Sequence, residues 1–139
     1  FSKLSDDATI DAVLTFRNIH NWIDEDTKNL RKIFEQSYSA LKPGGVFGVV
    51  EHRAKPETSL EDMRKSGYVT EELTINLAKE VGFILSAKSN INANIKDTKD
   101  HPAGVWSLPP TLYLKNKNRE KFIEIGETDR MTLLFRKPL

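Results

Sequence analysis

The sequence predicts an α/β fold, and three observations predict it. The apolar run Asp11-Ala12-Val13-Leu14-Thr15-Phe16 precedes an amphipathic helical pattern, and the turn Leu41-Lys42-Pro43-Gly44-Gly45 then leads into a second apolar run, Val46-Phe47-Gly48-Val49-Val50-Glu51. Strand, helix, turn and strand make one βαβ unit, the usual way to join parallel strands. A further helical pattern ends at Gly82 and passes into a strand pattern at Phe83. With 139 residues, 38% of them hydrophobic, the chain reads as a single domain over 1–139. A chain of this length buries roughly two-thirds of its unfolded surface.

Residues 10–15 are too continuously apolar for a half-exposed strand and suit a parallel strand covered on both faces. The polar segment Arg17–Asn21 follows, and the first helix is expected from about Asp24, with Glu25 and Asp26 in the first turn. Acids there complement the positive end of the helix dipole. Leu30, Ile33, Phe34, Ser37, Tyr38 and Leu41 repeat at the spacing of one buried stripe, leaving Lys28, Arg31, Lys32 and Gln36 on the wet side. Pro43 stops the helix, and Gly44 and Gly45 are expected to supply positive φ for the reversal.

Residues 53–68 read as a charged loop with a helical turn near Leu60–Lys65. Thr70 is the expected N-cap of a helix whose face carries Leu73, Leu77 and Val81. Phe83, Leu85 and Ala87 then alternate with Ile84, Ser86 and Lys88, the period of a strand with one buried face. Residues 90–130 form an irregular insertion, rich in Asn, Lys and Asp and then in Pro, with Asn118 the expected cap of a short helix carrying Phe122, Ile123 and Ile125. Met131–Arg136 closes the chain as a strand.

Composition excludes several classes of function. A net charge of +1 gives no case for nucleic acid or an anionic membrane surface as partner. There is no cysteine, hence no disulfide, cysteine nucleophile or thiolate metal site. No apolar run reaches the ~20 residues of a membrane-spanning helix. Cytoplasm is the expected compartment. The chain starts at Phe1 without an initiator Met, which reads as a piece of a longer protein or a processed product, or else as a chain trimmed of a few residues.

In open α/β sheets ligands bind beyond the carboxyl ends of the parallel strands. Those ends carry Arg17, Asn18, His20 and Asn21 after the first strand, and Glu51, His52 and Arg53 after the second. An imidazole can act as a general base near neutral pH, which makes His20 the candidate catalytic residue. The other use of Asn18 and His20 is to satisfy loop backbone and cap the following helix. Glu51 and His52 are neighbours on a strand and are expected to point to opposite faces, so a strand-end ion pair competes with a substrate contact. Trp106 belongs either to a small satellite core with Leu108, Leu112 and Phe122 or to a lid that stacks on a flat acceptor. The three histidines show no metal-ligand spacing, and no metal is expected.

The order strand, helix, Leu41-Lys42-Pro43-Gly44-Gly45, strand, a helix ending in Val81-Gly82-Phe83, strand, excursion, final strand resembles the C-terminal half of class I S-adenosylmethionine-dependent methyltransferases. The strings Phe16–Trp22 and Trp106-Ser107-Leu108-Pro109-Pro110 resemble an uncharacterised bacterial branch of that family. The resemblance covers about residues 10–90 and 131–137. It implies a partial Rossmann-like sheet with the equivalents of strands 4-5-7-6, the last antiparallel, with flanking helices.

It also implies methyl transfer from S-adenosylmethionine to a small-molecule acceptor. Phe16 and Arg17 would lie nearest the cofactor, and Arg17, Asn18, Asn21, Glu51, His52, Arg53 and Trp106 around the acceptor. The first strands and the family's acidic Gly-x-Gly loop have no counterpart in the sequence. Gly44-Gly45 follow a helix and enter a strand, whereas a nucleoside or phosphate cradle follows a strand and opens a helix. The chain alone is therefore expected not to bind the cofactor. Residues 10–15 become a bare edge, expected to pair with a missing N-terminal half or a second copy of the chain. The alternative is a non-catalytic methyltransferase-like module serving self-association or partner binding.

Overall fold

The computed structural model describes residues 3–139. Four strands, β1 (Ile10–Phe16), β2 (Leu41–His52), β3 (Ile84–Ser89) and β4 (Arg130–Arg136), form one sheet in the order β1-β2-β4-β3. β1 and β2 run parallel, and β4 lies antiparallel between β2 and β3. Helices α1 (Lys28–Ala40) and α3 (Glu71–Val81) pack on one face, while α2 (Leu60–Ser66) and α4 (Arg119–Ile125) lie in the connections. This is the mixed four-strand α/β sheet with flanking helices that the resemblance implies.

The core follows from the two periodicities. Leu30, Ile33, Phe34 and Ser37 are buried on α1, and Leu77 and Ala78 on α3. Leu30, Phe34, Leu77 and Ala78 form one cluster with Phe47 and Val49 of β2 and Met131, Leu133 and Phe135 of β4. Phe34 sets its edge on Phe47 at 5.1 Å, and Phe47 stacks on Phe83 at 5.2 Å. Edge-on and offset ring pairs of this kind contribute about 1 kcal/mol each beyond their buried area. Thr70 caps α3 as expected, its hydroxyl accepting the Leu73 amide at 3.2 Å.

Several expectations are corrected. α1 begins at Lys28, not Asp24, because Ile19–Trp22 forms a separate 3-10 turn and the Asp26 carboxylate takes the Lys28 amide at 2.9 Å. A short acid that bonds its own backbone competes with helix initiation. The Pro-Gly-Gly reversal lies within the bounds of β2 as a looped-out segment, for the ladder jumps from Ile10↔Leu41 to Ala12↔Val46. Only Gly44 has positive φ there; Gly45 is required by closeness, since a Cβ on it would meet the Asp11 carbonyl oxygen at 3.1 Å. Asn118 precedes α4 without any side-chain cap bond.

Strand β3 carries a bulge. Leu85 pairs with Phe135 and Ala87 with the very next β4 residue, Leu134, so Ser86 is the extra residue and Ala87 turns away from the core. β1 is not covered on both faces. Leu14 and Phe16 are each 60% exposed. With Val50, Ala87 and Leu134 they line a shallow apolar hollow of about 240 Å³ on the open face of the sheet. β1 is an edge strand. No helix among the described residues is long and apolar enough to cross a membrane.

Candidate functional site

The parallel strands bring their carboxyl ends to one rim of the sheet. β4 runs the other way, so its first residues arrive at the same rim, with His52 paired to Arg130. Arg17, at φ 53°, follows the end of β1, and the 3-10 turn Ile19–Trp22 then folds back under the rim with Ile19 fully buried. That turn presents His20 to Glu51.

Glu51 is 0% exposed and held on several sides. Its Oε2 accepts the His20 amide at 3.0 Å and its Oε1 the His52 amide at 2.8 Å. The His20 Nδ1 lies 3.1 and 3.0 Å from the two oxygens. A carboxylate only accepts, so Nδ1 carries the donated proton and Nε2 is left as the imidazole's basic nitrogen. A carboxylate that fixes the tautomer and orientation of an imidazole is the arrangement of a general base with its orienting group.

His20 lines a cleft of about 310 Å³ together with Arg17, Asn21, His52, Trp106 and Arg130. Trp106 is 36% exposed and meets His20 edge-on at 5.9 Å, with Pro109 and Pro110 completing that wall. The excursion descends this far because Gly104 has no side chain; a Cβ there would lie 2.2 Å from the Ser66 carbonyl oxygen. His52 stands 5.4 Å from His20 between ring centres, and its Nδ1 is 2.5 Å from the Thr128 hydroxyl.

Burial, and then the nearby charges of His20, Arg130 and Arg17, push the His52 imidazole down to about 3. The unfolded chain takes up that proton near the ordinary value of 6.5, while the folded chain refuses it until about pH 3. The His52 contribution to stability is thus complete above pH 6.5 and drains as pH falls from there toward 3. The limiting slope is about 1.4 kcal/mol per pH unit. Denaturant titrations at pH 7, 5.5 and 4.5 are expected to show this decline and His52→Asn to flatten it. An equal slope in the variant assigns the loss to other groups.

The expected site residues divide cleanly by position. Phe16, Arg17, His20, Asn21, His52 and Trp106 line the cleft. Asn18 faces its own turn and accepts the Asn21 side-chain amide at 2.8 Å. Glu51 is buried beneath the cleft, behind His20, and is no surface contact. Its carboxylate folds back to the His52 amide, which is how two strand neighbours come to serve one cluster.

Arg53 leaves the cleft altogether. Its guanidinium forks onto Asp129 at 2.9 and 2.9 Å and reaches Glu71 at 2.7 Å. Burial alone raises a carboxyl group's pKa, but hydrogen bonds from Arg53, Lys99 and the Asn94 amide hold that of Asp129 well below the usual range. Thr128, Arg130 and the Pro109–Pro110 wall are cleft residues that sequence reasoning passed over. The antiparallel direction of the last strand was the available signal, for it delivers residues 128–130 to the parallel strands' carboxyl rim.

His20, Glu51 and His52 offer ligand atoms within 4.8 Å of one another, a convergence that sequence spacing did not suggest. Two backbone amides and Nδ1 supply three donors to the Glu51 carboxylate, so hydrogen bonding accounts for its place in the cluster. For S-adenosylmethionine the fit is partial. Phe16 and Arg17, the residues expected nearest the cofactor, stand at the carboxyl rim and line the cleft. Among the described residues no strand leads through a glycine-rich turn into a helix, and of the glycine pair at 44–45, Gly44 faces Leu139 and Gly45 is packed against Lys42 and Asp11.

No protein-family model and no curated protein sequence matches the chain. Solved structures do. The (4+2)-cyclase SpnF aligns with 99% of this chain at TM-score 0.63 and 15% identity, over 54% of its own length. A S-adenosylmethionine-dependent methyltransferase of Methanosarcina mazei aligns at TM-score 0.61 and 13% identity, covering 99% of this chain and 64% of that one. Phosphoethanolamine N-methyltransferase 2 of Haemonchus contortus, solved with S-adenosyl-L-methionine, aligns at TM-score 0.54 and 20% identity, over 96% of this chain and 34% of that one. The chain thus spans between about a third and two-thirds of the structures it resembles. It has a methyltransferase-like fold.

Proposed function

We propose that this chain supplies the acceptor side of a methyltransferase that moves a methyl group from S-adenosylmethionine to a small molecule. The observation that carries the reading is the His20–Glu51 pair at the carboxyl rim of a methyltransferase-like sheet. The cofactor, when bound, supplies an electrophilic methyl on a sulfonium. The chain's residues do the rest on the acceptor: Trp106 and the proline wall orient it, and His20 Nε2 takes the proton its nucleophilic atom gives up. Glu51 holds the ring so that Nδ1–H faces inward throughout. Positioning is the larger contribution in such a reaction, and one base adds roughly 10²–10⁴-fold.

The cofactor's nucleoside contacts belong, in this reading, to a segment or second copy that extends the sheet at β1. The exposed Leu14 and Phe16 and the unpaired edge support that assignment. Calorimetry of this chain with S-adenosylmethionine is expected to give negligible heat, and micromolar affinity would place the cofactor site wrongly. Transfer of labelled methyl by the protein assembled with its nucleoside-binding part is the direct measurement. His20→Gln is expected to lower it at least 100-fold. Unchanged transfer in that variant removes His20 from the chemistry.

A further inference from the structure

We infer that the acceptor bound in this cleft is a planar anion, an aromatic carboxylate held by Arg17 and Arg130. The inference rests on the acceptor-site reading above and adds the chemical class of its ligand.

The permanent charges around the cleft are of one sign. Arg17 and Arg130 line it beside the imidazoles of His20 and His52, and no acidic side chain does. Glu51, the nearest carboxylate, is turned inward and saturated by the His20 and His52 amides and the His20 ring. Arg17 is exposed and, among the described residues, has no carboxylate within ion-pair distance. Arg130 keeps its side chain 12% exposed, with Nε donating to Thr128 at 3.2 Å and Nη2 to Glu127 at 3.2 Å. Glu127 is itself 58% exposed and lies outside the cleft lining, a partner that a ligand can displace. The low titration of His52 reports the same field, since Arg130 and Arg17 both contribute to it.

A cationic cleft on a protein of net charge +1 is a local arrangement and not a by-product of composition. Guanidinium groups match planar oxyanions through two parallel hydrogen bonds. Trp106 with Pro109 and Pro110 forms one flat apolar wall, which suits an aromatic ring, while Asn21, Thr111 and Thr128 keep the rest of the lining polar. Charge chemistry agrees with this choice: an anionic acceptor offsets the two guanidinium groups, whereas a cationic amine meets both of them and no acidic side chain in the lining.

The test is equilibrium binding to this chain with no methyl donor present, so its result is separate from that of the transfer assay. The probes are 4-hydroxybenzoate, its neutral analogue 4-hydroxybenzamide, and the cation tyramine, followed by calorimetry or by amide and indole shifts in NMR. Hydroxybenzoate is expected to bind at least tenfold tighter than the amide and tyramine not to bind. Arg17→Gln, at an exposed position, is expected to remove most of that preference. Glu127→Gln, which frees Arg130, is expected to tighten hydroxybenzoate binding several-fold. Equal binding of acid and amide, tighter binding of tyramine, or no binding of any probe overturns the inference and leaves the methyl-transfer reading to its own assay.

Discussion

Asp97→Ala is expected to destabilise the protein by about 4 kcal/mol. The Asp97 side chain is 0% exposed and gathers donors from three parts of the chain. It accepts the Tyr68 hydroxyl at 3.0 and 2.9 Å, the His101 Nε2 at 2.8 Å, the Asp129 amide at 2.9 Å and the Lys99 amide at 3.0 Å. Burial and Asp97 together hold the Tyr68 hydroxyl far above its ordinary titration range, so it stays a donor. Truncation leaves all of these donors without their partner, and each costs roughly 1–3 kcal/mol before water or relaxation recovers part of it.

The consequence reaches the cleft. Asp129 sits between Thr128 and Arg130, so the Asp97 bond to its amide fixes the two cleft residues on either side. Chemical denaturation of Asp97→Ala and Asp97→Asn is the measurement. Asparagine keeps one acceptor oxygen and is expected to lose about half as much. A loss below about 1 kcal/mol in the alanine variant would show that water replaces the carboxylate at no cost.

Glu51→Gln is expected to lower methyl transfer by about 10²–10⁴-fold while the fold persists. The glutamine oxygen can still accept one of the two backbone amides. Its NH₂ group then confronts donors, and the way to relieve the conflict at His20 is to move the ring proton to Nε2. That nitrogen can no longer take a proton from the acceptor. The change is one of tautomer, so nitrogen-15 shifts of the His20 ring should report it independently of any turnover. A variant with wild-type tautomer and wild-type rate would make Glu51 a structural anchor only. Loss of rate with the tautomer unchanged would move the role of Glu51 away from His20.

Much of the fold was legible in the sequence, for reasons that are local. The 3.6-residue spacing of Leu30, Ile33, Phe34 and Ser37 requires one buried helix face, and Thr70 and Gly82 bracket α3 by capping chemistry. Where local signals failed, a longer-range term won. The first helix starts four residues late because the 3-10 turn and the Asp26 carboxylate claim the intervening backbone. The bulge at Ser86 breaks an alternation that looked regular from Phe83 to Lys88, since the register of β3 is set by β4 and not by its own sequence. The bare outer face of β1 reflects what the described residues offer to cover it, which no strand's composition records.

The candidate site divides along the same line. That Arg17, His20 and His52 stand at the ligand rim follows from strand direction, which the apolar runs and the Pro-Gly-Gly turn encode. That Glu51 turns inward to hold a histidine 31 residues away, that Arg53 spends its guanidinium on Asp129, and that Thr128 meets His52 across 76 residues of sequence are decisions of the assembled sheet. The sequence by itself determined the elements, their order and the rim where ligands meet them, because periodicity and capping act within a few residues. Only the tertiary structure decided which side chains share that rim. A carboxylate's partner is set by burial and by which donors the fold brings within about 3 Å, and neither is a property of its neighbours in the chain.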